Sequence, residues 1–292
     1  MTKGIALRLL ICVTCIVGIV FCLLNIIPEL QDYRASEKAY DALEEQVVSV
    51  APMEEPEESE PEPVQEEENT VEAEEEPQAE EAPAEEAPRG DDWWYRDVSI
   101  DFDTLQNQNR EIVAWIRFDN KKQIAIDYPV TQTGNNDKYL HTDIYGKHRK
   151  AGTLFFDANI QNPVSADHKK DIIYGHMMKD GSMFAPLKKY VKDSSVYRNN
   201  QYFTVYKRGE AYRYRIFSFF ITQDGSPVYQ HGFTEPDDAY KAHLDYLTSH
   251  SQVHEFEPDV QHSVLTLSTC SKSNSNERIV VNAELIDMRV TG

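Results

Sequence analysis

Four cysteines occur in the 292 residues, and three of them, Cys12, Cys15 and Cys22, share one uncharged apolar run near the N-terminus. Cys270 stands apart. It ends an alternating apolar and polar stretch, "SVLTLSTC" (263–270), and Arg278 follows eight residues later. A thiol becomes a useful nucleophile when a base or a cation beside it favours the thiolate. Among nine histidines His176 is the distinctive one, because it closes the apolar stretch "DIIYGH" (171–176) and is followed by turn residues. His141, His148, His168, His231, His243, His250, His254 and His262 sit in polar surroundings and read as surface residues. If both stretches are strands of one barrel, their ends meet at a common rim. Thiol, imidazole and guanidinium together would then suit acyl transfer: attack on an amide, proton movement, and hydrogen bonds to the oxyanion. On its residue type alone Arg278 reads equally well as a strand-edge ion pair. No acidic cluster with calcium-ligand spacing stands out in the folded part, so no metal is expected, and no cofactor is expected either.

The elements that must position these groups are mostly strands. Eight stretches rich in β-branched and aromatic residues are bounded by turn signals: 112–118, 123–130, 152–157, 171–176, 202–206, 212–222, 263–270 and 278–286. They predict a mainly β fold, an eight-stranded closed barrel with a few short helices. "KRGE" (207–210) predicts a tight hairpin in which Gly209 supplies a positive φ. One helix is expected in "FTEPDDAYKAHLDYLTSH", capped at Thr234 with Asp237 completing a capping box, and with Tyr240, Leu244 and Leu247 on one face. Shorter ones are expected near 181–191 and before the first strand.

The first ninety residues differ in kind. Residues 9–28 carry no charge, about the length of a membrane-crossing helix. Lys3 and Arg8 precede the run, so residues 1–8 are expected in the cytoplasm and the remainder outside, on a single-pass anchor. "LLNIIPEL" has no small-residue cleavage site, which favours an uncleaved anchor over a signal peptide. Residues 29–53 continue with a weak heptad-like stripe (Tyr33, Ser36, Tyr40, Leu43, Val47, Val50), too short to argue for a dimer. Residues 54–90 hold seventeen Glu and six Pro between Glu54 and Pro88, with no Lys or Arg in that interval, and are expected to be a disordered linker. This stretch supplies most of the net charge of −21, which therefore says little about the folded part, 91–292. No nucleic-acid partner is expected.

Taken in order, "REIVAWIRF", "IDYPVTQ", "NNDKYLHTD", "KHRKAGTLFFD", "IIYGHMM", "GSMFAPLKKY", "TLSTC" and "RIVV" resemble sortases, the membrane-anchored cysteine transpeptidases of Gram-positive bacteria, and class B most. The resemblance spans about 103–286. It implies that Cys270 attacks a C-terminal sorting signal of LPxTG or NPxTN type in a secreted protein, forming a thioacyl intermediate resolved by an amine of peptidoglycan or its lipid-linked precursor. His176 would act as general acid and base, and Arg278 would hold substrate and oxyanion. Asn136, Leu140, Tyr174, Ser268 and Thr269 would line the groove. Three alternatives stay open: a pilin-joining enzyme that uses a lysine acceptor, an inactive peptide-binding barrel, and a cysteine hydrolase that releases the acyl group to water. "GDDWWYRD" (90–97) faintly resembles the lid of pilin-joining sortases, although its Trp pair is expected to pack the N-terminal helix onto the barrel.

Overall fold

The computed structural model describes residues 2–51, 92–165, 168–270 and 276–291; the expected acidic linker, 54–90, lies outside the described residues. In chain order the elements are helix α1 (Thr2–Val47), strand β1 (Val48–Val50), helix α2 (Trp93–Arg96), β2 (Val98–Ile100), α3 (Phe102–Gln108), β3 (Ile112–Phe118), β4 (Asp127–Thr131), β5 (Leu154–Phe156) and β6 (Lys170–His176). There follow α4 (Lys188–Lys192), α5 (Ser195–Arg198), β7 (Tyr202–Lys207), β8 (Glu210–Gln223), α6 (Asp238–Ser249), β9 (Val264–Cys270) and β10 (Glu277–Val290), with single 3-10 turns in three of the connections. Strands β3 to β10 close into a barrel in the order β10-β8-β7-β3-β4-β5-β6-β9. Each of the eight stretches read from alternation contributes one barrel strand. The β7–β8 hairpin turns at Gly209, with φ 74°.

Three expectations need correcting. Thr234 does not cap α6: Asp237 does, its carboxylate accepting from Tyr240 N at 2.9 Å. The acid next to the first turn wins because a helix N-terminus favours a negative acceptor. Nor is His243 a surface residue. Tyr240, His243, Leu244 and Leu247 fall on one face at helical spacing, and all are buried against Phe217, Phe220, Val228 and Phe233 or their neighbours. Burial, with Lys170 nearby, depresses the His243 pKa to about 3. His168 is also largely covered, 2.8 Å from Asp171.

Helix α1 has two halves with different surroundings. Apolar side chains from Ile11 to Ile27 stand exposed all round, and this helix is long and apolar enough to cross a membrane. From Glu29 onward the helix lies on the barrel. Ser36, Tyr40, Leu43 and Val47 are buried, so the heptad-like stripe is spent on the chain's own domain, whereas Val50 is exposed. Each of the large buried members contributes roughly 1.5–3 kcal/mol. Tyr40 donates its hydroxyl to Gly152 O at 2.6 Å. Glu44 joins Lys121, which is 2.7 Å from the buried Asp127, itself bonded to Arg117 and to Trp115 Nε1. Burial holds the Asp127 pKa up at about 6 despite those cations.

Strand β1 then pairs antiparallel with β2, Val48 opposite Ile100 and Val50 opposite Val98, and Ala51 N donates to Asp97 O at 2.7 Å. The backbone at residues 48–51 thus lies alongside residues 97–100. The helix reaches the barrel before the acidic stretch begins, so that stretch does not stand between the apolar run and the barrel as a spacer would. Residues 29–51 join 92–291 in one folded unit, larger at its N-terminal side than the expected 91–292. Trp94 is buried, its carbonyl accepting from Tyr206 Oη at 2.6 Å, and both Trp93 and Trp94 lie against the Arg213 guanidinium. The pair packs on the barrel wall.

Candidate active site

Strands β6 and β9 are both apolar enough to be buried on two faces, and they run parallel as neighbours. Their register sets His176 opposite Cys270, Gly175 opposite Thr269 and Tyr174 opposite Ser268. Two groups nearly a hundred residues apart in sequence thus end adjacent strands at the same level. Gly175 is required by what surrounds it. A Cβ there would lie 2.4 Å from Leu154 Cδ2 and 2.7 Å from Phe184 Cδ2, so the glycine lets both pack against the strand one residue before the histidine.

The imidazole of His176 is fixed from the β4–β5 connection. Nε2 lies 2.6 Å from Leu140 O. A carbonyl only accepts, so Nε2 carries the hydrogen, and in the neutral ring Nδ1 keeps the lone pair. Behind that carbonyl sits Gly152 at φ 57°, where a Cβ would fall 2.2 Å from Tyr139 O and 2.7 Å from Leu140 O. The ring of His141 stacks beside His176, centroids 5.6 Å apart at 18°. Burial lowers the His176 pKa, the Leu140 bond offsets part of this, and His141 lowers it again, leaving it below the ordinary value.

Of the expected groove residues, Asn136, Leu140 and Tyr174 are half-buried, whereas Ser268 and Thr269 are fully buried beneath them. Tyr174 Oη donates to Asp157 at 2.8 Å, and Asn136 Oδ1 accepts from Ala158 N at 2.7 Å. Burial would raise the Asp157 pKa, but bonds from Asn159, Tyr174 and Asn136 outweigh it, and the carboxylate sits below its usual range. Tyr229, in the β8–β9 connection, stacks on Tyr174 at 6.3 Å and shares a 3.0 Å hydrogen bond with Ser268 Oγ. Thr269 Oγ1 accepts from Ile279 N at 3.1 Å, tying β9 to the residue after Arg278. Leu140 is half-buried, with its carbonyl committed to His176. Sequence reasoning missed Asp157, Tyr229 and His141. The strand-ending Asp157 in "TLFFDAN" was the one visible signal; the other two come from loops without periodicity.

Arg278 opens β10 opposite Thr222. Its guanidinium is part-exposed, 3.3 Å from Asp224, and donates to Glu277 O at 3.2 Å. Residues 271–275, between it and Cys270, lie outside the described residues. A cavity of about 670 Å³ lined by Val98, Phe102, Tyr206 and Arg208 lies by the β7–β8 hairpin at the other end of the barrel, away from these groups.

Comparison with known proteins identifies the family and the fold. The Sortase domain family matches residues 122–286. Sortase B of Staphylococcus aureus is 30% identical over 192 residues, covering 65% of this chain and 76% of that protein. Sortase B of Listeria monocytogenes is 32% identical over 189 residues, covering 62% and 72%. Among solved structures, a Staphylococcus aureus sortase B–substrate complex superposes with TM-score 0.58 at 28% identity, covering 64% of this chain and 84% of that one. Clostridium perfringens sortase B gives 0.57 at 29%, covering 63% and 99%.

Proposed function

This chain belongs to the sortase family, as a class B cysteine transpeptidase, and from that premise we propose that Cys270 is the nucleophile, His176 the proton carrier and Arg278 the oxyanion and substrate ligand. The observation that carries the reading is the parallel register that sets His176 opposite Cys270. Cys270 Sγ adds to the scissile carbonyl carbon of a sorting signal, its proton passing to the lone pair at His176 Nδ1. The tetrahedral oxyanion is met by the Arg278 guanidinium, whose forked donors suit it. The C–N bond then breaks, and the imidazolium returns the proton to the leaving amine. An acceptor amine from peptidoglycan or its lipid-linked precursor loses a proton to Nδ1 as it attacks the thioester, the C–S bond breaks, and the departing sulfur takes that proton back from the imidazolium, regenerating the thiol and the neutral ring. The depressed His176 pKa keeps the ring neutral at neutral pH, ready to act first as base.

Asn136, Leu140, Tyr174, Ser268 and Thr269 belong to the wall over which the signal lies, with Asp157 and Tyr229 holding that wall in shape. Residues 9–28 anchor the enzyme with residues 1–8 inside the cell and the barrel outside, following the positive flank at Lys3 and Arg8. The test is incubation of the full chain in detergent micelles with LPxTG- and NPxTN-type peptides, with triglycine or a stem peptide as acceptor, followed by mass spectrometry. A product joined to the amine and lost in Cys270→Ala is expected. Cleavage to the free acid alone would replace the transpeptidase reading with hydrolysis, and no thioacyl adduct with any peptide would favour a binding barrel.

A further inference from the structure

The apolar run of α1 ends at Pro28, and the next residue already touches the barrel. Glu29 lies 3.6 Å from Lys150 Nζ and 3.5 Å from Lys179 Nζ. One turn on, Asp32 accepts from Arg149 Nη1 at 3.1 Å and from Lys150 N at 3.0 Å. Arg149 in turn lies 3.6 Å from Asp143. These partners come from the segments that flank the candidate site: Lys179 follows His176 by three residues, and 149–152 leads into β5 behind the Leu140 carbonyl. Three residues of chain plus two side chains put His176 within about 25 Å of Glu29. A bilayer's hydrocarbon core is about 30 Å thick and its headgroup layers add several more on each side, so a helix leaving the core at Pro28 meets the barrel at headgroup level.

What the barrel presents there is amphipathic. Tyr145 is 39% exposed, and Lys147, Lys150 and Lys179 are exposed with it. Tyrosine rings and long-stemmed ammonium groups are the side chains that sit at membrane interfaces. Four bases (Lys147, Arg149, Lys150, Lys179) meet four acids (Glu29, Asp32, Asp143, Asp180), so net charge does not drive the contact; the clamped helix does. The β7–β8 hairpin around Arg208 pairs with the far end of β10, at the opposite end of the barrel.

We propose that the end of the barrel carrying His176 and Cys270 faces the bilayer, with residues 145–150 and 179–181 in contact with phospholipid headgroups. The inference rests on the apolar run being a membrane anchor. It makes the height of the site above the membrane a fixed property of the fold, set by the Glu29 and Asp32 contacts.

The full chain tests this in nanodiscs containing acceptor-labelled headgroups. With Cys12, Cys15 and Cys22 changed to Ser and Cys270→Ala, a donor dye is placed through Asp180→Cys or, at the far end, through Arg208→Cys. Energy transfer at least twofold stronger from position 180 is expected, and unchanged when anionic lipid replaces zwitterionic lipid. Equal transfer, or stronger transfer from 208, would overturn the proposal. Adding Glu29→Lys with Asp32→Lys should reduce the contrast by at least half. In the chain that keeps Cys270, the same pair should leave turnover of a soluble peptide within about threefold, which checks that the barrel is folded. A contrast that survives would show that the clamp does not orient the barrel. Failure of the chain to co-elute with the discs would remove the anchor reading and the proposal with it, while leaving the peptide chemistry untouched.

Discussion

The two flanks of the candidate site are built to different standards. On the His176 flank, strand register, the Leu140 carbonyl, and glycines at 152 and 175 that admit no Cβ all converge on one imidazole. On the Arg278 flank, the guanidinium is part-exposed and its carboxylate neighbour, Asp224, is 69% exposed. The difference is consistent with the roles proposed for the two groups. A proton carrier works over tenths of an ångström and needs a fixed ring, whereas a cation that meets a flexible peptide can be drawn into place by the substrate.

The comparison can be broken by mutation. Cys270→Ala and His176→Ala should each lower turnover of a sorting-signal peptide by about a thousandfold or more, because nucleophile and proton carrier act as a unit. A loss below tenfold in either would remove that residue from the chemistry. Next in size is Gly152→Ala. A Cβ 2.2 Å from a backbone oxygen at positive φ should cost about 3 kcal/mol, read as a fall in Tm of roughly ten degrees together with loss of activity. An unchanged Tm would mean that the loop is not rigid.

Arg278→Lys should lose about thirtyfold to a hundredfold in kcat/KM with Tm unchanged, since an ammonium lacks the forked donors. His141→Gln is subtler. His176 titrates below the ordinary histidine value, so the acid limb of kcat/KM should lie below pH ~6.5. Removing the neighbouring ring relieves one lowering influence, which should move that limb upward by a fraction of a unit; a downward move would contradict the stacking argument. Asp224→Asn closes the series with less than a twofold change, as expected for an exposed pair.

How much of this was legible varies with the kind of signal. Strand alternation reports burial of one face, and the eight barrel strands could be read from it because each buries a face in the same core. The cap at Asp237 and the burial of His243 were misread for related reasons: two acids and a threonine compete at that helix start, and a histidine counts as polar until its position on the helical face is considered. The stripe from Tyr33 to Val47 was visible as periodicity, but periodicity does not name its partner. Here the partner is the chain's own barrel.

Sequence alone determined the residue chemistry: one thiol outside the apolar run, one histidine and one arginine at strand ends, an apolar span near the N-terminus and a stretch rich in Glu and Pro. These are local properties of composition and period. Tertiary structure decided the relations among them. It set the register that puts His176 opposite Cys270, brought in Tyr229 and His141 from unpatterned loops beside Asp157 at the end of β5, and paired residues 48–50 with 98–100. Such relations arise from long-range pairing and packing, which join segments a hundred residues apart and leave no mark in either segment read by itself.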